Sequence, residues 1–163
     1  MSSKGRNVSR TRSVSAGLMM YRRREGAIEV LLVHPGGPFW KKRDAGAWTI
    51  PKGEPSEGEA LVATARREFR EETGLEPSGE LIELGVVRQK GGKEVHAWAF
   101  EGDCDPASLQ SGTFSLEWPP RSGKWRDFPE VDRAEFFELS AAREKINPAQ
   151  VALLDALQAV TAG

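Results

Sequence analysis

Apolar and polar positions change period several times along this chain, and each change marks an element. SVSAGLMMY (13–21) and IEVLLVHP (28–35) are dense in apolar and β-branched residues. They predict two strands joined by the polar turn RRREGA. HPGGPFWKKRDAGA (34–47) holds prolines and glycines too dense for regular structure. A long loop is expected there, and long loops in compact domains are often functional. A short strand around Trp48–Ile50 should end against Pro51.

The period then switches to that of a helix. Over residues 56–73, Val62, Ala65 and Phe69 recur at three- and four-residue spacing and should face a core. Ser56 and Glu59 match the S-x-x-E capping box, in which hydroxyl and carboxylate satisfy orphan amides reciprocally. Gly74 stands where a left-handed C-cap is wanted. ELIELGVVRQK and KEVHAWAFEGD predict a hairpin across Gly91-Gly92. Residues 102–129, with WPPRSGKW, read as a second irregular segment wrapping a site or an edge. RAEFFEL predicts a strand. Asn147 as N-cap and Pro148 at the first helical position open a last amphipathic helix through about Val160. The order, ββ–β–helix–ββ–insert–β–helix, is an α+β arrangement with a mixed sheet rather than a regular βαβ alternation.

Composition narrows the classes without choosing among them. The 163 residues suffice for one domain with a real core. The leader MSSKGRNVSRTRSVS has no apolar segment, so no secretory signal peptide is expected. Residues 1–12 read as a disordered basic leader before a domain at 13–163. A net charge of −1 gives no general pull toward nucleic acid or anionic membrane. Nor is any apolar run long enough to span a bilayer. Cys104 is the only cysteine, which excludes an intrachain disulfide and a thiolate cage, and makes the cytoplasm the expected compartment. With His34 and His96 as the only histidines, there is little scope for a zinc cluster or a Ser/His/Asp triad.

The chemistry concentrates in REFREETGL (67–75). Glu68 stands beside Glu71 and Glu72 within about a 100° arc at a helix end. Like charges at this spacing cost roughly 0.2–0.5 kcal/mol per pair. The helix dipole adds about 0.3–1 kcal/mol per acid in the last turn. Arg67 and Arg70 offset part of this but lie off the acidic arc. A hard divalent cation reverses the sign, and oxygen-only ligands suit Mg²⁺ or Mn²⁺. The plain alternative is a solvated, charged helix face.

Wider spacing separates the two. Gly53, Glu59, Arg67-Glu68, Glu71-Glu72, Gly74 and Leu75 read G-x5-E-x7-R-E-φ-x-E-E-x-G-φ, where φ is apolar. This is expected by chance on the order of once in a million chains of this size. It resembles the Nudix box, complete and without substitution, and the elements from about 13 to 160 resemble a Nudix domain. The resemblance implies an α/β/α sandwich with a mixed sheet. It further implies Mg²⁺- or Mn²⁺-dependent hydrolysis of a phosphoanhydride in a nucleoside diphosphate linked to another moiety. Glu68 and Glu72 would be the central metal ligands, with Glu71 a further ligand or a base-positioning acid. The carbonyl of Lys52 would complete the metal shell. Gly53, Glu59, Arg67 and Gly74 would shape the motif.

A catalytic base is not fixed by the box: Glu68, Glu71 and a loop acid are all candidates. For the loop acid Glu130 is preferred to Glu117. The Pro51-Lys52-Gly53 form resembles family members acting on dinucleoside polyphosphates and inositol pyrophosphates. Lys52, Lys41 and Lys42 are candidate phosphate contacts, and Trp48 is a candidate for stacking on a base. A dinucleoside polyphosphate is expected ahead of a simple NTP. The rival class is a Nudix-like domain that senses a nucleotide, or binds protein or RNA, without turnover.

Overall fold

A computed structural model describes residues 13–162. The expected leader at 1–12 lies outside the described residues. Strand β1 (Val14–Arg24) turns through Glu25-Gly26 into β2 (Ala27–Pro35), with Arg24 opposite Ala27. Both turn residues have positive φ, 50° and 82°, as a two-residue hairpin of this hand requires. The turn is thus shorter than RRREGA, and the strand runs on through the arginines.

A short β3 (Lys52–Gly53) leads to helix α1 (Leu61–Thr73). Strands β4 (Ile82–Arg88) and β5 (Glu94–Glu101) form the hairpin expected across Gly91-Gly92. Strands β6 (Thr113–Glu117), β7 (Trp125–Pro129) and β8 (Val131–Glu138) precede α2 (Leu139–Lys145) and α3 (Val151–Thr161). The main sheet has the order β4-β5-β1-β2-β8, with β3 also beside β1. Only β1 and β5 run parallel, so the sheet is mixed.

Strand β1 explains the layering. Ser15 to Tyr21 are all buried, because helices cover both faces of the sheet. Side chains alternate across a strand. Ala16, Leu18 and Met20 pack with Ala65 and Phe69 of α1. Met19 and Tyr21 join the cluster on the other face, with Leu153, Leu154 and Leu157 of α3. The result is an α/β/α sandwich.

Several expectations shift. The first helix begins at Leu61 rather than 56, because Gly58 has φ 76° and the chain closes a separate turn at Ser56–Glu59. The Ser56 amide does donate to Glu59 Oε1 at 3.0 Å, half of the reciprocal pair. Val62 is exposed, whereas Thr64, Ala65, Phe69 and Thr73 are buried. Around Trp48–Ile50 there are only isolated bridges, and the strand falls at Lys52–Gly53 instead. Residues 102–129 are not irregular throughout: β6 and β7 make a two-stranded sheet of their own. Asn147 caps as expected, accepting from the Ala149 amide, but over a 3₁₀ turn that precedes α3.

Candidate active site

The loop after β3 is tied to α1 by one guanidinium. Arg67 donates twice to the Glu59 carboxylate, both at 2.9 Å, and to the Glu54 carbonyl at 3.0 Å. Glu59 also accepts from Thr64 Oγ1 at 2.9 Å. Such a two-point fork fixes geometry as well as charge. The Arg67 guanidinium, first among its partners, holds the Glu59 carboxyl down at about 2. The loop therefore enters the helix at a set angle.

Arg67 does more than the helical period suggests. Its Nη1 also reaches Glu68 at 2.9 Å and Glu71 at 3.2 Å. It was expected off the acidic arc, yet it bridges two of the three acids. Arg70 pairs away from them, with Glu76. Gly53 completes the restraint, since a Cβ there would collide with the Glu68 carboxylate. At the helix end Gly74 takes φ 79°, and its amide returns to the Arg70 carbonyl at 2.7 Å. A side chain at that position would press on the Gln110 carbonyl at 3.1 Å.

Glu72 lies outside the Arg67 brace. Its carboxyl is pushed up to about 9, by burial first and then by the charges of Glu68 and Glu130. Lys52 opposes this through its charge and a backbone hydrogen bond. Burial in turn lowers the Lys52 ammonium against the pull of Glu72. Glu68 and Glu130 are both raised, chiefly by burial, with Glu71 adding to each. Four acids thus bear on one another, with Lys52 and Arg67 set among them.

A cavity of about 180 Å³ receives Lys52, Glu72 and Glu130 in its lining. A second, of about 250 Å³, also has Glu72 in its lining, with Ser111 and residues of β8. Among the described residues no three His, Cys, Asp or Glu side chains converge to hold an ion as they stand. Arg67 accounts for this by drawing Glu68 and Glu71 to itself. The donors still fit a hard divalent cation. They are all oxygen, and the half-buried Glu72 faces like charges that such an ion would relieve.

The other predicted residues divide. Glu130 joins the cluster, whereas Glu117 turns back to accept from the Gly123 amide at 2.8 Å. Lys41 and Lys42 are exposed on the 34–47 loop. Trp48 has no free face for a base: it is 1% exposed, and its Nε1 donates to Asp44 at 2.8 Å. His34, at the start of the 34–47 loop, is a core residue. Fully buried, it spans Asp132 at 2.8 Å and the Arg43 carbonyl at 2.6 Å, pinning the loop to β8. Sequence reasoning passed over Asp132, whose one signal was its place beside Glu130 in PEVDR.

Comparison with known proteins gives the family and the fold. A family model for the NUDIX domain matches residues 11–157. The chain belongs to the Nudix family. Among solved Nudix relatives, a Caenorhabditis elegans Ap4A hydrolase in a binary complex is 26% identical, with a TM-score of 0.64 over 93% of this chain and 98% of that one. The NUDIX domain of Shewanella oneidensis NrtR, complexed with ADP ribose, has a TM-score of 0.64 at 15% identity, covering 91% and 88%. A MutT protein from Methanosarcina mazei Go1 has a TM-score of 0.63 at 19% identity, covering 94% and 98%. The last two speak for the fold alone. This Nudix chain is a pyrophosphohydrolase by family, and its mixed α+β sandwich is that of its neighbours.

Proposed function

We propose that the protein hydrolyses a phosphoanhydride bond in a nucleoside diphosphate linked to a second moiety, with a dinucleoside polyphosphate ahead of a simple NTP. The observation that carries this is Glu72, half-buried in the lining of one cavity with Lys52 and Glu130 and within reach of the Glu68 charge. A binding module need not crowd acids so that the carboxyls of Glu68, Glu72 and Glu130 are raised. Glu68, Glu72 and Glu71 would hold Mg²⁺ or Mn²⁺, with the Lys52 carbonyl. A divalent ion bound there neutralises phosphate oxygens and acidifies water.

The chain's own groups do the rest. Glu130 lies outside the Arg67 brace, and its carboxyl is raised by burial and then by the Glu71 charge. It is the preferred base. It takes the proton of a water whose oxygen bonds to one phosphorus, while the bridging P–O bond breaks and the other phosphate leaves. General bases of this kind contribute about 10²–10⁴-fold. Lys52 steadies the phosphate chain. The substrate order is supported by the Pro51-Lys52-Gly53 form and by the 26% identity to an Ap4A hydrolase. A reducing compartment, the cytoplasm, suits the single Cys104.

The test is phosphate release with product identification across NTPs, dinucleoside polyphosphates, ADP-ribose and inositol pyrophosphates in Mg²⁺. Turnover of a dinucleoside polyphosphate, lost in Glu72→Gln, is the expected result. Tight nucleotide binding with no turnover of any substrate would instead make the chain a sensor.

A further inference from the structure

The β6–β7 hairpin has two distinct faces. Phe114, Leu116 and Trp118 alternate with Ser115 and Glu117, and across the pair Phe114 meets Phe128 while Leu116 meets Arg126. Side chains on one face of such a pair are neighbours. Phe114, Leu116, Trp118, Arg126 and Phe128 therefore share a face. That face is pressed on the 34–47 loop through two glycines. A Cβ on Gly36 would strike the Pro129 carbonyl, and one on Gly37, at φ 97°, would come within 3.0 Å of the Phe114 ring. The Gly36 amide also donates to the Glu130 carbonyl at 3.0 Å. Hairpin and loop are thus in direct contact.

Between them runs a groove of about 300 Å³, walled by Pro38, Lys41, Trp118, Arg126 and Phe128. Phe39 stands edge-on to Trp118, centroids 5.4 Å apart at 79°, and sets the attitude of the indole. The Arg126 guanidinium lies 5.5 Å from the Phe128 ring centroid. The groove ends at Pro129 and Asp132, and the two residues between them, Glu130 and Val131, line the acid cavity. Groove and acid cavity are thus lined by consecutive residues of one stretch, 129–132.

We infer that this groove is a nucleoside subsite: it takes the base of one half of the substrate against Trp118 and Phe128. Arg126 and Lys41 hold the adjoining phosphate. Aromatic faces accept any base by stacking, and nearby cations match the charge that a nucleotide carries and an uncharged apolar ligand lacks. The volume is at the lower end of small-ligand pockets, about 300–1,000 Å³, and suits one nucleoside rather than two. The inference rests on reading the acid cleft as the hydrolytic centre, and it names what lies beside it.

The decisive experiment has two arms on the full chain. In the first, AMP and ribose 5-phosphate are titrated by calorimetry without metal. AMP should bind, and ribose 5-phosphate, which lacks the base, should bind at least about 10-fold more weakly. Arg126→Ala and Trp118→Ala should each weaken AMP by about 10-fold, the scale of a lost base–aromatic stack or phosphate contact. Trp118→Phe should keep most of the binding and guards against a Trp118→Ala variant that fails to fold. In the second arm, Arg126→Ala should raise KM for diadenosine tetraphosphate about 10-fold with kcat within twofold. AMP binding and KM unchanged in Arg126→Ala and Trp118→Ala would overturn the subsite while leaving the hydrolase intact. Absence of turnover in the unaltered protein would sink the hydrolase reading, and the AMP titration would still decide the groove.

Discussion

The Glu68 carboxylate occupies the place where a Cβ on Gly53 would stand. The first glycine of the motif is therefore there for what lies against it, not for a turn. A Gly53→Ala variant must push Glu68 away from Arg67 and the cleft. Misplacement by about 1 Å typically costs ~10² in rate. We expect kcat to fall by about that factor while the thermal midpoint drops by no more than a few degrees. Steady-state kinetics beside a melting curve separates the two, and unchanged kcat would refute the packing argument.

Glu72 gives the pH dependence its sign. Its pKa is raised on folding, from 4.5 to about 9. The stability it contributes is full below about 4.5 and is lost as the pH rises through about 9. Metal-free protein should therefore melt at progressively lower temperature across that window. Added Mg²⁺ should recover the loss most at the alkaline end and release about one proton per ion at pH 7. Glu72→Gln should flatten the metal-free profile and lose most of the Mg²⁺ effect. Scanning calorimetry across pH, with and without Mg²⁺, reads both.

Glu130 is separable from the metal ligands. Glu130→Gln should lower kcat by about 10²–10⁴-fold and remove the acidic limb of the pH–rate profile. The stabilisation by Mg²⁺ should persist. If that stabilisation disappears with the activity, Glu130 is a ligand rather than the base.

Glu59 behaves oppositely to Glu72. Its pKa is held down at about 2, so its contribution is present above about 4.5 and disappears as the pH falls through 2. Glu59→Gln should melt below the unaltered protein at pH 7, and the two curves should converge in acid. Parallel curves across the range would mean the fork to Arg67 is not what Glu59 supplies.

Elements with long apolar runs were legible in the sequence. SVSAGLMMY and IEVLLVHP became β1 and β2, and the Gly91-Gly92 hairpin formed as expected. The motif's loop and helix were legible because each fixed residue has a local partner: Glu59 with Arg67, Gly74 with Arg70. What escaped was set by distant packing. Val62 fits the helical period but points to solvent, since β1 covers the Ala65–Phe69 stripe. Trp48 reads as a ligand-facing aromatic after a loop, yet edge-on contacts with His34 and Phe137 place it in the core. The β6–β7 hairpin was hidden by the prolines and glycines around it, although TFSLEW keeps a period of two. Arg67 reaching Glu68 and Glu71 depends on side-chain extension, which a helical wheel of Cβ directions does not carry.

Arg67 also bears on the order in which the site is assembled. Because a resident cation already balances Glu68 and Glu71, the helix end has no need of an imported ion to fold. Chelated protein should keep its far-ultraviolet circular dichroism and recover activity on adding Mg²⁺, without a refolding delay. The same guanidinium would have to yield part of its hold to an ion bound by Glu68 and Glu71. On the proposed reading, occupancy would be a contest between an internal and an external charge, decided by how much free metal surrounds the chain.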